Sequence, residues 1–155
     1  MKIGLIGYGK MGQTIHPLAE KRGHNVIATV DDSDELGQIK KADIVIDFSV
    51  PGAALDNMRF CRENSIPSVV GTTGWYDELE EVAKQTESTN NKMLWASNFS
   101  VGVNIFFALN KRLAQLMNGQ PYSTSMEETH HTEKLDAPSG TAISLAQDVI
   151  QQHDH

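Results

Sequence analysis

The stretch from Lys2 to Gly23, KIGLIGYGKMGQTIHPLAEKRG, decides the fold because it joins an apolar run, a glycine-rich turn and a helical pattern. The run before the turn has the nearly continuous apolar character of a buried parallel strand. The turn, GYGKMG, fits the pattern G-x-G-x-x-G, and the residues after it have helical spacing. Strand, glycine-rich turn and helix in this order are typical of a dinucleotide-binding unit.

Each glycine of this turn has a physical role in such a unit. The first permits a tight turn, the second lets the backbone approach a pyrophosphate, and the third allows close packing of helix and strand. The pyrophosphate would meet the helix N-terminus, where free N–H groups and the helix dipole favour negative charge. The alternative is a glycine-rich turn that binds nothing. The predicted cofactor contacts here are Gly7, Tyr8, Gly9, Lys10, Met11 and Gly12.

Strand and helix patterns alternate through the rest of the first hundred or so residues. Four further strands are predicted in NVIATV, ADIVIDFS, PSVVGTTG and KMLWAS, with helical segments between most of them. This alternation predicts an α/β fold with a Rossmann-type doubly wound parallel sheet, forming a dinucleotide-binding domain at residues 1–100.

A second domain is predicted at residues 101–155. A long helix is expected in VGVNIFFALNKRLAQLMNG, a half-exposed strand in YSTSMEET and a helix in SGTAISLAQDVIQQ. Because a single strand and helix do not make an independent domain, we expect this second domain to be incomplete in this chain.

Composition excludes several classes of protein. The chain has 155 residues and a net charge of −7, from 20 acids and 13 bases, which argues against a nucleic-acid partner. Its apolar runs are too short to span a bilayer, and no secretory signal follows Met1. The single cysteine, Cys61, rules out a disulfide within the chain. We therefore expect a cytoplasmic protein without a membrane partner.

The coenzyme preference depends on Asp31, which follows the second strand nineteen residues after Gly12. A carboxylate at this place can accept hydrogen bonds from the ribose hydroxyls of NADH and would repel the 2′-phosphate of NADPH. The sequence therefore favours NADH. Lys10 can reach a phosphate, so NADPH stays open. Asp31 can instead cap a helix, because DDSDE is also typical of a helix start.

Two loops leave the carboxyl ends of the fourth and fifth strands, GTTG at 71–74 and ASNFS at 96–100. Ligands of open α/β sheets bind outside those ends, where small hydroxyl and amide groups can hydrogen-bond a nicotinamide ribose or carboxamide. The same residues are ordinary turn formers. The predicted cofactor contacts in these loops are Gly71, Thr72, Thr73, Ala96, Ser97, Asn98 and Phe99.

The segment EETHHTEKLDAPSGTA, residues 127–142, collects titratable side chains just before a helix. Ser139 is a good N-cap, and the N–H groups after it are free donors suited to a carboxylate. His130, His131 and Lys134 bring positive charge and proton donors to the same segment. A solvated loop is one alternative. A metal site is another, but no third ligand stands at a usual spacing, so no metal is predicted.

The segment ETHHTEKLDAPSGTA resembles the signature of the dihydrodipicolinate reductase family, and GYGKMG, GTTGW and ASNFSVGVN occur in the same order. The resemblance runs from Met1 to about residue 151. It implies an NAD(P)H-dependent oxidoreductase that reduces dihydrodipicolinate, or 4-hydroxy-tetrahydrodipicolinate, to tetrahydrodipicolinate in lysine and diaminopimelate biosynthesis. It also implies a small cyclic dicarboxylate substrate and a homo-oligomer, a tetramer in the family. On this resemblance, residues 101–155 are part of a second α+β substrate and oligomerisation domain, truncated at the end of this chain.

The resemblance assigns roles within the signature. It implies catalytic proton donation by His130 and Lys134, and substrate binding by His131 and by the turn Ser139, Gly140 and Thr141. Two features depart from the family. Its glycine loop is often one residue longer, and its members continue well beyond the last helix. The alternative function is a non-catalytic dinucleotide-binding module, or an inactive fragment of such a reductase.

Overall fold

The computed structural model describes residues 1–31, 36–130, 132 and 137–152. The chain divides into two compact units, Met1–Ala96 and Ser97–His155.

The first unit is built on five parallel strands in the order β2–β1–β3–β4–β5. This arrangement confirms the predicted α/β fold with a doubly wound parallel sheet. The strands are β1 (Lys2–Ile6), β2 (Asn25–Val30), β3 (Ile44–Asp47), β4 (Ser68–Val70) and β5 (Met93–Trp95). The helices are α1 (Lys10–Lys21), α2 (Pro51–Glu63) and α3 (Leu79–Ser88), with short 3₁₀ helices at Leu36–Ile39 and Tyr76–Glu78.

Successive side chains of β1 point to opposite faces of the sheet, as the strand period requires. Ile3 and Leu5 pack with Ala19 of α1 in one cluster. Ile6 packs in another cluster with Cys61 of α2. The two helices therefore cover opposite faces, which places the carboxyl ends of β1 and β3 at the point where the connections diverge.

Cys61 is a packing residue of this core. Its side chain is 2% exposed. Burial, and secondarily the negative charge of Asp47, raise the pKa of the Cys61 thiol to about 12. Because the thiolate is the reactive form, Cys61 is inert as a nucleophile near neutral pH.

Three aromatic rings pack together at the carboxyl ends of β4 and β5. The ring centroids of Trp75 and Trp95 are 5.7 Å apart, and those of Tyr76 and Trp95 are 5.2 Å apart. Trp75 is 3% exposed, and its Nε1–H donates to the carbonyl of Thr72 at 2.8 Å. The tryptophans therefore pack the end of the first unit.

The second unit contains α4 (Val101–Met117) and α5 (Gly140–Gln152), which pack together. The side-chain amide of Asn110 donates to the carbonyl of Leu145 at 3.0 Å across this contact. The prediction of a strand at 122–128 is wrong, because these residues have no regular secondary structure. A strand needs a partner for its backbone groups, and the described part of this unit contains no other strand.

The described helices include none that combines the length and apolar character needed to cross a membrane.

Candidate active site

The glycines of the turn after β1 have different surroundings. Gly7 has a φ of +82°, and a Cβ on it would overlap the carbonyl of Phe48 at the end of β3. A Cβ on Gly12 would overlap the carbonyl oxygen of Gly7. A Cβ on Gly9, by contrast, would meet no atom within 4 Å. Gly7 and Gly12 are therefore required for packing, while Gly9 leaves open space beside the backbone.

The N-terminus of α1 begins at this open space. Gly9 is the N-cap, and the first helical hydrogen bond runs from the N–H of Gln13 to the carbonyl of Gly9 at 3.0 Å. The N–H groups of Lys10, Met11 and Gly12 therefore have no acceptor within the helix, and no acidic side chain stands in the first turn. These features fit the pyrophosphate of a dinucleotide.

A cavity of about 170 Å³ lies at the carboxyl ends of β1, β2 and β3. Asp31, directly after β2, lines it together with Gly7, Ser49 and Asn57. The cavity is thus at the topological switch point, where open α/β sheets bind ligands. It places the acid predicted to contact a ribose beside the glycine turn predicted to contact a pyrophosphate.

A buried polar network at the ends of β3 and β4 was missed by the sequence analysis. Asp47 is 2% exposed. Its carboxylate accepts from the N–H of Ser49 at 2.9 Å, from Thr72 Oγ1 at 2.8 Å and from Asn57 Nδ2 at 3.1 Å. The network ties both loops to α2 at the edge of the cavity. The one available signal was a charged residue at the end of an apolar strand.

This network changes what the loop after β4 can offer a ligand. The Thr72 hydroxyl donates to Asp47 and accepts from the N–H of Ser49 at 2.8 Å, and Thr72 is 4% exposed. Its side chain is therefore engaged within the protein. Gly71 lies against the ring of Phe48, where a Cβ would overlap the ring. Thr73, the third predicted contact of this loop, is half-buried.

The ASNFS loop leads into α4 of the second unit. Asn98 Oδ1 accepts from the N–H of Ser100 at 2.8 Å, and Ser100 Oγ caps α4 by accepting from the N–H of Val103 at 3.4 Å. A Cβ built on Gly140 would lie 3.8 Å from the Cβ of Ser97. Within this unit, a residue predicted to contact the cofactor therefore lies beside the turn predicted to bind substrate.

The N-terminus of α5 forms that turn. Ser139 is 5% exposed, and its Oγ accepts from the N–H of Ala142 at 3.1 Å, which confirms its predicted capping role. The first helical bond runs from the N–H of Ile143 to the Ser139 carbonyl at 2.9 Å. The N–H groups of Gly140 and Thr141 therefore have no acceptor within the helix.

Glu128 joins this turn to a histidine. Glu128 Oε1 accepts from the N–H of Ser139 at 2.8 Å, and its Oε2 accepts from Ser139 Oγ at 2.7 Å. The same Oε2 lies 3.6 Å from His130 Nε2. The sequence analysis did not assign this role to Glu128. His130 and the capping turn are thus brought together through a carboxylate.

Two predicted residues, His131 and Lys134, lie outside the described residues. Within the described part of the chain, no group of three His, Cys, Asp or Glu side chains is placed to hold a metal ion. The absence of a metal at the histidine pair stays a prediction.

Comparison with known proteins decides the family. Residues 1–99 match the family model described as dihydrodipicolinate reductase, N-terminus, and residues 102–155 match the model described as dihydrodipicolinate reductase, C-terminus. The chain belongs to the dihydrodipicolinate reductase family. This result confirms the family predicted from the sequence motifs.

Relatives in the dihydrodipicolinate reductase family match nearly the whole chain. A 4-hydroxy-tetrahydrodipicolinate reductase of Christiangramia forsetii is 46% identical over 99% of this chain, which covers 65% of that protein. One of Acinetobacter baumannii is 32% identical over 94% of this chain, which covers 62% of that protein. The chain thus spans a little under two thirds of the length of these relatives.

A solved dihydrodipicolinate reductase has the same fold. The dipicolinate-bound enzyme from Paenisporosarcina sp. TG-14 matches with a TM-score of 0.70 and 27% identity, over 97% of this chain and 66% of that one. Dipicolinate is a planar ring dicarboxylate, so that relative binds the chemical class of ligand expected for the Ser139 turn.

Proposed function

We propose that this chain carries the coenzyme site and part of the substrate site of an NAD(P)H-dependent reductase. Its reaction is reduction of 4-hydroxy-tetrahydrodipicolinate to tetrahydrodipicolinate, in lysine and diaminopimelate biosynthesis. One observation carries the proposal: Gly140, at the open N-terminus of α5, lies beside Ser97 of the loop predicted to bind the coenzyme, and the capping residue Ser139 is linked through Glu128 to His130. The names of the relatives support the same reaction.

The proposed substrate site rests on the negative charge of the substrate's carboxylates. One carboxylate of a cyclic dicarboxylate accepts hydrogen bonds from the N–H groups of Gly140 and Thr141, where the dipole of α5 favours an anion. Ser139 stabilises this turn without binding the substrate through its own donors, because its N–H and hydroxyl both donate to Glu128. We assign His131 and Lys134 to the substrate as well, with the Lys134 ammonium offsetting carboxylate charge.

The 4-hydroxyl group of the substrate leaves as water, and a hydride and a proton add across the conjugated bond that results. When bound at the glycine turn, a nicotinamide coenzyme would supply the hydride to a conjugated carbon of the substrate. Electron density moves towards the ring nitrogen of the substrate as this bond forms. His130, assisted by Lys134, then donates the proton that completes the reduction.

An assay with freshly prepared substrate tests this function. The proposal expects loss of NADH absorbance that depends on substrate, and competition by dipicolinate. Coenzyme binding without turnover and without dipicolinate binding would favour a non-catalytic dinucleotide-binding module. The homo-oligomeric state and the cytoplasmic location stay predictions.

Gly9→Ala tests the pyrophosphate site without disturbing the fold. The φ of Gly9 is −75°, and its Cβ would enter open space, so we expect an unchanged melting temperature. The methyl group would stand where the pyrophosphate approaches the backbone. Loss of one charge-assisted hydrogen bond costs about 1.5–3 kcal/mol, so calorimetry should show NADH affinity falling about tenfold or more.

Gly52→Ala is the matched control, because it also places a methyl group in open space, on α2. It should leave NADH affinity unchanged. Equal affinities for the two variants would place the pyrophosphate elsewhere.

Asp31→Ala tests the coenzyme preference. Wild type should bind NADH at least as tightly as NADPH, because the Asp31 carboxylate can accept from the ribose hydroxyls and repels a 2′-phosphate. The variant should bind NADH more weakly and NADPH no more weakly than wild type. Fluorescence titration of both coenzymes measures the ratio. A strong NADPH preference that persists in Asp31→Ala would show that another group, such as Lys10, governs the choice.

A further inference from the structure

Glu128 makes contacts that an ordinary surface acid lacks. Its side chain is 28% exposed, and both oxygens face Ser139, one at the backbone N–H and one at the hydroxyl. These contacts span eleven residues of chain, so they fix the segment before the histidine pair against the N-terminus of α5.

The His130 ring is held from two sides. Its Nδ1 lies 2.8 Å from the carbonyl of Thr129, which can only accept, so Nδ1 carries a hydrogen. Its Nε2 lies 3.6 Å from Glu128 Oε2, and this contact is an ion pair only when the ring is doubly protonated. Glu128 therefore lies where its charge would favour the doubly protonated ring, which is the form with a proton to give.

The same carboxylate works against substrate binding. It brings a negative charge to a turn that receives a substrate carboxylate, and like charges at short range repel. It also engages both donors of Ser139, which leaves the N–H groups of Gly140 and Thr141 for the substrate. An acid at this place lowers affinity and needs a compensating role in the reaction.

We propose that Glu128 is a positioning residue that aligns protonated His130 with the substrate-binding turn, and that it favours turnover at the expense of substrate affinity. This inference rests on the proposed reductase function. Glu128 touches neither the reacting atoms nor the coenzyme in this role; it acts through His130 and Ser139.

Glu128→Gln separates this role from simple support of the fold. Glutamine keeps the shape and can still accept from the Ser139 N–H, but it carries no charge for His130. We expect the turnover number to fall about tenfold or more, as for loss of one charged contact. The dissociation constant of dipicolinate should stay equal or become smaller, because a repelling charge is gone. A support role predicts the opposite: weaker dipicolinate binding and a lower melting temperature.

Glu127→Gln is the matched control, since it makes the same charge change one residue earlier at an exposed side chain. It should leave turnover and dipicolinate affinity unchanged. Normal turnover in Glu128→Gln, or equal loss in both variants, would refute the positioning role while leaving the reductase function intact.

A nuclear magnetic resonance experiment tests the contact without turnover. The amide proton of Ser139 should shift as pH falls through the range in which carboxylates take up protons, and this shift should vanish in Glu128→Gln but persist in Glu127→Gln. If wild type shows this shift but neither binds dipicolinate nor oxidises NADH, the reductase function fails and the contact stands. If Ser139 shows no such shift, the positioning role fails.

Discussion

His130→Gln should lower the turnover number by about 10²–10⁴-fold, the usual contribution of a general acid. Glutamine keeps a hydrogen-bonding side chain but cannot donate a proton as an imidazolium does. NADH affinity should stay at the wild-type value, because the glycine turn and Asp31, which are predicted to bind the coenzyme, both belong to the first unit. Steady-state kinetics and coenzyme titration measure the two effects separately.

Two further variants, one a second test of the catalytic segment and one a control, accompany His130→Gln. Lys134→Met removes the ammonium group and keeps much of the stem, so it should show a loss of the same kind. His24→Gln makes the same chemical change in the first unit, between α1 and β2, and should leave turnover unchanged. Near-normal turnover in His130→Gln, or a defect confined to NADH affinity, would remove His130 from the catalytic role.

Asp47→Ala should destabilise the first unit strongly. The substitution leaves the buried Thr72 hydroxyl without its acceptor and takes one of two acceptors from Asn57 and from the Ser49 N–H. An unsatisfied buried polar group costs about 1–3 kcal/mol, so we expect a loss of at least about 2 kcal/mol of unfolding free energy. The melting temperature, followed by circular dichroism, should fall by on the order of 10 °C.

Asp56→Ala is the control for this substitution. Asp56 lies on α2, and its side chain is 70% exposed. Its Oδ1 lies 3.0 Å from a guanidinium nitrogen of Arg59. Exposed pairs of this kind contribute about 0–1 kcal/mol, so its melting temperature should change little. Similar losses in the two variants would show that the Asp47 network does not stabilise the unit.

The first unit was predictable because its signals are local. Buried parallel strands are nearly continuous apolar runs, and β1 to β5 lie where such runs occur in the sequence. The strand predicted at 122–128 failed because an alternation of residue types does not reveal whether a neighbouring strand exists to pair with. Tyr122 and Met126, its large apolar residues, are both exposed.

The candidate site also has one part that was predictable from the sequence and another that was not. The cap of α5 was predictable, because it joins Ser139 to Ala142 within one turn of helix. The contact of Glu128 with Ser139 spans 11 residues, and that of Asp47 with Thr72 spans 25. Such contacts depend on how distant segments meet, which periodicity does not encode. The contacts of both carboxylates could therefore be identified only in the folded chain.

The aromatic cluster at the ends of β4 and β5 gives the protein a built-in optical probe. The chain has two tryptophans, Trp75 and Trp95, and both belong to the first unit. Selectively excited tryptophan fluorescence therefore follows melting of the first unit alone, whereas far-ultraviolet circular dichroism follows the helices of both units. Superimposable curves from the two signals would mean that the units unfold as one cooperative body, and separated curves would mean that each melts independently.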